Sequence, residues 1–117
     1  MDLSHGSVYN IKELCDEVPF INLEKLDLSY NRIVNLYRLK NAKFLNLKVL
    51  ILSSCNIYDI DDIRLRDFPF TKLEVLKLEY NNISYFDYGI FKNALVYLRS
   101  NYRIIYQNTK YRKRKDD

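Results

Sequence analysis

The chain of 117 residues predicts an α/β fold assembled from repeated units, each with one short strand and one short helical turn. Three observations predict it. A 14-residue pattern recurs, leucines within it alternate as in a strand, and apolar residues after it return at every third position. Apolar residues make up 48% of the chain, which is enough for a packed core in one domain. With two Gly and two Pro, the chain is not collagen-like, linker-like or turn-rich.

Three segments carry the pattern F-x-x-L-x-x-L-x-L-x-x-N/C-x-I. They read FINLEKLDLSYNRI from Phe20, FLNLKVLILSSCNI from Phe44 and FTKLEVLKLEYNNI from Phe70. The L-x-L step is strand-like, because successive side chains of a strand point to opposite faces. We expect the leucines of the pattern to be buried, namely Leu23, Leu26, Leu28, Leu47, Leu50, Leu52, Leu73, Leu76 and Leu78.

A partial unit precedes these three. Met1 aligns with Leu26, so the first unit begins inside its own strand, and Gly6 occupies the polar position of the pattern. Repeat arrays need terminal caps that cover the core and the sheet edge, and none is visible before Met1. We expect one of three situations. The chain is a fragment or has a misassigned start codon, it is the remnant of a reduced gene, or its first sheet edge is covered by a partner or a second copy.

Another partial unit follows at the C-terminal end. The alignment places Leu95 on Leu73, 22 residues earlier, with Ser100 at the third leucine position and Arg103 at the polar position. Residues 94–108 are expected to form a terminal strand and cap. The units thus start near residues 1, 23, 47, 73 and 95, within one domain over residues 1–109.

The segments between the strands carry apolar residues in i, i+3 steps. This spacing is typical of short 3₁₀ or α turns that face a core. In the second unit the series is Ile33, Leu36, Leu39, Ala42 and Phe44.

This pattern resembles the leucine-rich repeat (LRR) family over nearly the whole chain. The resemblance implies an α/β solenoid, a right-handed horseshoe segment of about five repeats. A short parallel sheet would form its concave face, and 3₁₀ or α turns its convex side. Tyr, Ile, Lys and Asn have AT-rich codons and make up 45 residues, which indicates an AT-rich genome such as that of a large DNA virus.

The polar column of the pattern holds Asn31, Cys55 and Asn81. The chain bends there with its backbone groups pointing inward, and a buried amide can both donate and accept hydrogen bonds. Cys55 is a substitution that the family pattern admits, and its alternative role is that of a reactive thiol. Gly6 and Arg103 depart from the column, so we expect this Asn ladder to fray at both ends.

Residues between the strand leucines are expected to face solvent on the concave side. Several are apolar or aromatic, which is typical of a protein-binding surface, although high β-propensity explains Val, Ile and Tyr equally well. The predicted partner-binding residues are Tyr30, Val49, Ile51, Val75, Lys77, Tyr80, Tyr97 and Arg99.

The C-terminal tail, residues 110–117, is expected to be disordered and carries +3 of the net charge of +4, so residues 1–109 carry +1. A solvated charge run is one interpretation of it. The others are nuclear targeting and nucleic-acid binding, which the nearly neutral body disfavours. Its basic residues are Lys110, Arg112, Lys113, Arg114 and Lys115.

The sequence contains no recognisable catalytic constellation. His5 is the only histidine, and the carboxylates Asp59, Asp61 and Asp62 lack the Gly and Glu of a calcium loop. We therefore expect no enzyme activity, no cofactor and no metal, and an unknown protein as the partner.

Location is predicted from absences in the sequence. No apolar run reaches the roughly 18 residues of a membrane span, and no signal-peptide pattern is visible. Cys15 and Cys55 are too few for a disulfide scaffold and indicate reduced thiols. We expect a cytoplasmic protein without membrane contact, with the nucleus as the alternative if the tail acts as a targeting signal.

Overall fold

A computed structural model describes residues 1–5, 22–34, 39, 45–58, 60 and 71–113. Within these ranges the chain forms six strands and a 3₁₀ helix. They are β1 (Lys25–Asp27), β2 (Val49–Ile51), β3 (Val75–Lys77), β4 (Tyr85–Asp87), β5 (Leu95–Tyr97), β6 (Ile105–Gln107) and the 3₁₀ helix Thr109–Tyr111.

The main sheet contains four strands in the order β1-β2-β3-β5, and all neighbours are parallel. Leu26 pairs with Leu50, and Leu50 pairs with Leu76, so equivalent residues of the predicted units are neighbours. At the β1 edge, Asp2 forms a parallel bridge with Asp27. Successive units therefore stack in register, as expected for a repeat fold.

The core lies on one face of this sheet. The central leucine of each of the first three strands is fully buried, because period-two alternation turns it to the side opposite its neighbours. Residues from all the described units join one cluster with it, including Leu28, Ile33 and Ile57. One continuous core thus holds the units together, since a single unit cannot bury its own leucines.

The last unit corrects the alignment made from the sequence. Leu95 pairs with Val75 and Val96 pairs with Leu76, so the placement of Leu95 on Leu73 was wrong by two residues. Val96 is only 4% exposed and takes the core position, whereas Leu95 is half-buried on the opposite face. Valine fills a buried strand position as leucine does, so the positions of the leucines alone do not determine the strand register.

The segment after β3 also differs from the prediction of helical turns. Residues Tyr85–Asp87 form β4, which pairs in parallel with β6 to make a second, two-stranded sheet. Phe86 is fully buried and its ring contacts the rings of Tyr88 and Phe91, at centroid distances of 4.9 and 5.9 Å. In the second unit Leu39 has 3₁₀ conformation, whereas Leu36 and Ala42 lie outside the described residues.

Helices long and apolar enough to cross a membrane are not found among the described residues.

Candidate functional site

The solvent-facing side of the main sheet carries a cluster of apolar side chains. Val49, Val75 and Leu95 occupy equivalent positions on the neighbouring strands β2, β3 and β5, and Ile51 lies two residues after Val49 on the same face. All four are half-buried. We call these four residues the apolar patch. Sequence reasoning missed Leu95 because the alignment had assigned it to the core.

Lys77 and Tyr97 border the apolar patch and contact each other. The Nζ atom of Lys77 lies 5.4 Å from the centroid of the Tyr97 ring and 3.7 Å from Oε1 of Glu79. The hydroxyl of Ser53 donates to the same carboxylate oxygen at 3.4 Å. The predicted residue Arg99 lies beyond this group and is exposed. A shift of two residues keeps the strand alternation, so Tyr97 and Arg99 remain on the predicted face despite the corrected register.

Charged residues mark the β1 side of the same face. Lys25 is exposed and Asp27 is half-buried, whereas the equivalent positions of β2 are Val49 and Ile51. The side chain of Asp27 accepts a hydrogen bond from the backbone N–H of Ser29 at 2.9 Å. The apolar patch is therefore confined to β2, β3 and β5.

A row of residues with positive φ follows the strands, one in each described unit. The φ values lie between 56° and 65° in His5, Tyr30, Ser54, Tyr80 and Ser100, which we call the bend column. The rings of Tyr30 and Tyr80 project into solvent, with exposed fractions of 58% and 59%. His5 and Tyr30 stack with a centroid distance of 4.6 Å and an interplanar angle of 7°.

The side chain of Asn81 bonds to the backbone of its own unit and of the preceding one. Its Oδ1 accepts from the N–H groups of Cys55 and Ile57 at 2.8 and 3.0 Å. Its Nδ2 donates to the carbonyl oxygens of Leu52 and Leu78 at 3.0 and 2.9 Å. One buried amide thus satisfies four backbone groups that the bend removes from water.

Asn101 makes three of the four equivalent contacts in the last unit. Its Oδ1 accepts from the N–H of Ile83 at 3.0 Å, and its Nδ2 donates to the carbonyl oxygens of Leu78 and Leu98 at 2.9 Å. The assignment of Arg103 to this column, and of a frayed ladder at the C-terminal end, was therefore wrong. The signal in the sequence was the three-residue step from Leu98 to Asn101, which equals the step from Leu78 to Asn81.

The other two predicted members of this column also contact backbone. Asn31 donates from Nδ2 to the carbonyl oxygens of Leu3 and Leu28 at 2.8 and 2.9 Å. The thiol of Cys55 donates to the carbonyl oxygens of Leu28 and Ser53 at 3.2 and 3.5 Å. Burial raises the pKa of the Cys55 thiol to about 11, so the thiol is protonated at neutral pH. A buried, protonated thiol is a poor nucleophile. Gly6 lies outside the described residues.

The C-terminal end contains an open cleft of about 520 Å³. At its wall, Oδ1 of Asp87 accepts from the N–H of Gly89 and from Nδ2 of Asn108, both at 2.7 Å. These bonds tie the end of β4 to the residue after β6. Lys92 and Tyr111 line the same cleft. The Nζ atom of Lys92 lies 5.1 Å from the centroid of the Tyr111 ring.

The first residues of the basic tail belong to a 3₁₀ helix. The 3₁₀ helix Thr109–Tyr111 crosses the predicted boundary at residue 110. Lys110 lies 5.1 Å from the ring of Tyr111, and the guanidinium of Arg112 lies 6.0 and 5.8 Å from the rings of Tyr88 and Tyr106. Lys113 is exposed, and Arg114 and Lys115 lie outside the described residues.

Clusters of His, Cys, Asp and Glu side chains are the usual ligands of protein-bound metal ions. No group of three or more that could hold an ion occurs in the described part of the chain. The candidate carboxylates Asp59, Asp61 and Asp62, like Cys15, fall outside those ranges.

Part of the chain matches a known protein family. Residues 22–41 match the family model described as Leucine Rich Repeat. No curated protein matches the chain, and no solved structure matches it. The matched segment contains β1 and Asn31. Together with the parallel sheet, it supports a leucine-rich repeat protein with a repeat fold, and this motif suggests a protein-interaction module.

Proposed function

We propose that this chain is a non-enzymatic interaction module that binds a partner protein on the solvent-facing side of the main sheet. The apolar patch of Val49, Ile51, Val75 and Leu95 would supply the centre of the contact. Lys77, Tyr97 and Arg99 would supply its polar and aromatic rim, which is the usual arrangement of protein interfaces.

The apolar patch carries the proposal. The opposite face of the sheet already holds the core, so burial within the fold does not require apolar side chains on this side. Strand propensity accounts for Val49, Ile51 and Val75, but leucine is a weaker strand former than these β-branched residues. Leu95 next to Val75 is therefore better explained by a surface that a partner covers.

The architecture that we propose is a right-handed solenoid of five units with this sheet as its concave face. Four strands from successive units run parallel, and crossover connections between parallel strands are almost always right-handed. The hydrogen bond from Leu3 N–H to the carbonyl oxygen of Asp27, at 2.7 Å, supports an additional N-terminal unit. A solenoid presents such a sheet as one extended binding surface.

The proposal is tested by capture from a native cell extract with immobilised protein. The double variant Val49→Thr/Ile51→Thr keeps β-branched side chains, and therefore strand propensity, but adds hydroxyl groups to the apolar patch. We expect unchanged thermal unfolding and the loss of partners that the unaltered protein retains. Lys25→Thr, on the same face at β1, is the matched control and should retain them. Equal capture by the double variant would contradict the proposed site.

A further inference from the structure

The bend column places side chains from successive units next to one another at the ends of the strands. Adjacent units are one strand spacing apart, about 4.8 Å. The His5–Tyr30 pair shows the result, since its rings stack at 4.6 Å and are nearly parallel. Aromatic rings in neighbouring positions of this column can therefore stack face to face.

Ser54 interrupts this row. It follows Tyr30 and precedes Tyr80 in the bend column, and its short side chain brings no ring into the row. The φ values of the three residues are 62°, 56° and 59°, so the three share nearly the same φ in the left-handed region. Two strand spacings separate Tyr30 from Tyr80, about 9.6 Å. That distance equals about two stacking intervals of the kind observed between His5 and Tyr30.

We propose that the space over Ser54, between the rings of Tyr30 and Tyr80, is a slot that receives one aromatic side chain of the protein partner. We call this space the Ser54 slot. The inference rests on the proposed function and deepens it, because Ser54 lies three residues after the patch residue Ile51, with which β2 ends. A partner covering the apolar patch would reach the slot by extending along that strand.

The backbone conformation supports a role for the two tyrosine side chains. Residues other than glycine, asparagine and aspartate adopt positive φ at an energetic cost. Tyr30 and Tyr80 adopt it, and more than half of each side chain is exposed. Two exposed aromatic residues at such positions add little to the core, so their rings are available for recognition.

The surrounding charges favour a neutral aromatic group over a cation or a nucleobase. The carboxylate of Glu79 already contacts Ser53 at 3.4 Å and Lys77 at 3.7 Å. That of Asp27 accepts the N–H of Ser29. A guanidinium would compete with Lys77 for Glu79, and a phosphate would meet the carboxylates of Asp27 and Glu79 together with the ammonium of Lys77, so neither ion gains a clear electrostatic advantage. An aromatic ring needs only the two tyrosine faces, which stack favourably on it.

The test uses N-acetyl-tryptophanamide as a neutral probe and the ring-proton NMR signals of Tyr30, Tyr80 and Tyr102. We expect saturable upfield shifts of Tyr30 and Tyr80 with one shared dissociation constant. Tyr102, which is 87% exposed and lies outside the bend column, serves as the internal control and should move little. Equal, non-saturating shifts of all three rings would overturn the inference.

Two variants make the test specific. Ser54→Tyr fills the slot with the chain's own ring, in a backbone conformation that Tyr30 and Tyr80 already adopt, and should weaken probe binding at least about tenfold. Ser100→Tyr is the matched control, because it adds the same ring at φ 62° on the far side of Tyr80. It should leave binding unchanged. If Ser54→Tyr unfolds, Tyr80→Ser removes one exposed wall and should cause the same loss. Unchanged binding in the folded variants would overturn the slot.

The slot and the proposed function can fail separately. A Val49→Thr/Ile51→Thr variant that loses the partner, while Ser54→Tyr retains it, would overturn the slot and leave the binding face standing. Retention of the partner by both variants would overturn both. A further arm titrates adenosine monophosphate, and tighter, salt-sensitive binding of this nucleotide than of the probe would replace the aromatic side chain with a nucleobase.

Discussion

Asn81 and Leu52 belong to different units, and the amide of Asn81 donates to the carbonyl oxygen of Leu52 at 3.0 Å. The same amide group also serves its own unit through Leu78. Asn101 repeats this arrangement one unit later, where its donors reach Leu78 and Leu98. The ladder therefore couples neighbouring units by directional bonds, in addition to the shared core.

Replacing Asn81 tests this coupling. Asn81→Ala leaves the N–H groups of Cys55 and Ile57 and the carbonyl oxygen of Leu52 without the bonds that they make in the buried bend. We expect the free energy of unfolding to fall by about 3 kcal/mol, as measured by urea denaturation. Asn82→Ala, at the exposed neighbouring position, is the control and should change it by less than about 0.5 kcal/mol. Equal losses in both variants would contradict the role of the ladder.

The raised pKa of Cys55 makes stability depend on pH above the ordinary range of a thiol. The folded protein holds the proton to about pH 11, whereas the unfolded chain releases it near the ordinary pKa of 9.0. The contribution is therefore complete below the unfolded pKa and is lost as pH rises towards 11. Unfolding free energies of the unaltered protein should fall by about 2 kcal/mol more than those of Cys55→Ala over this range. Parallel curves for the two proteins would contradict the assignment.

Thiol labelling gives an independent reading of the same site. We expect iodoacetamide at pH 8 to modify Cys55 only after unfolding, because the thiol is fully buried and protonated in the folded chain. Peptide mass spectrometry separates Cys55 from Cys15 and provides the measurement. Rapid labelling of Cys55 in the native protein would restore the reactive-thiol interpretation.

The corrected register of β5 predicts opposite outcomes for two adjacent residues. Val96→Thr places a hydroxyl in the core and should lower the free energy of unfolding by about 2 kcal/mol. Leu95→Thr introduces the same strand-forming residue on the solvent side and should cost less than about 1 kcal/mol. Chemical denaturation of the two variants decides the register. A larger loss for Leu95→Thr would favour the alignment of Leu95 with Leu73.

Sequence reasoning succeeded where a buried position demanded one residue type. The leucine spacing predicted β1, β2 and β3 in register, because only apolar residues of that period can face a common core. It failed in the last unit, where Val96 replaces leucine and Leu95 happens to continue an L-x-x-L spacing. Alignment on Asn101 would have succeeded, since the bend imposes a stricter chemical requirement than the core does.

The second sheet and part of the candidate site depended on contacts that the sequence does not display. Strands of three residues, such as β4, are set by their partner, and the partner β6 begins 20 residues later at Ile105. The apolar patch was predicted at Val49, Ile51 and Val75 but lacked Leu95, because the side that a residue faces follows from register. The row of positive φ values at Tyr30, Ser54 and Tyr80 is likewise visible only in three dimensions.

The second sheet can be tested at Gly89. A Cβ atom there would lie 2.9 Å from Oδ1 of Asp87 and 3.0 Å from Nδ2 of Asn108, which are the atoms that join the end of β4 to the residue after β6. Gly89→Ala must displace one of them, so we expect a loss of about 1–2 kcal/mol and faster amide exchange in β6 than in β1. Asn93→Ala, which alters an exposed residue of the same cleft, is the control. Hydrogen exchange measured by mass spectrometry reports both strands, and unchanged protection of β6 in Gly89→Ala would show that the Asp87–Asn108 bond does not hold the second sheet together.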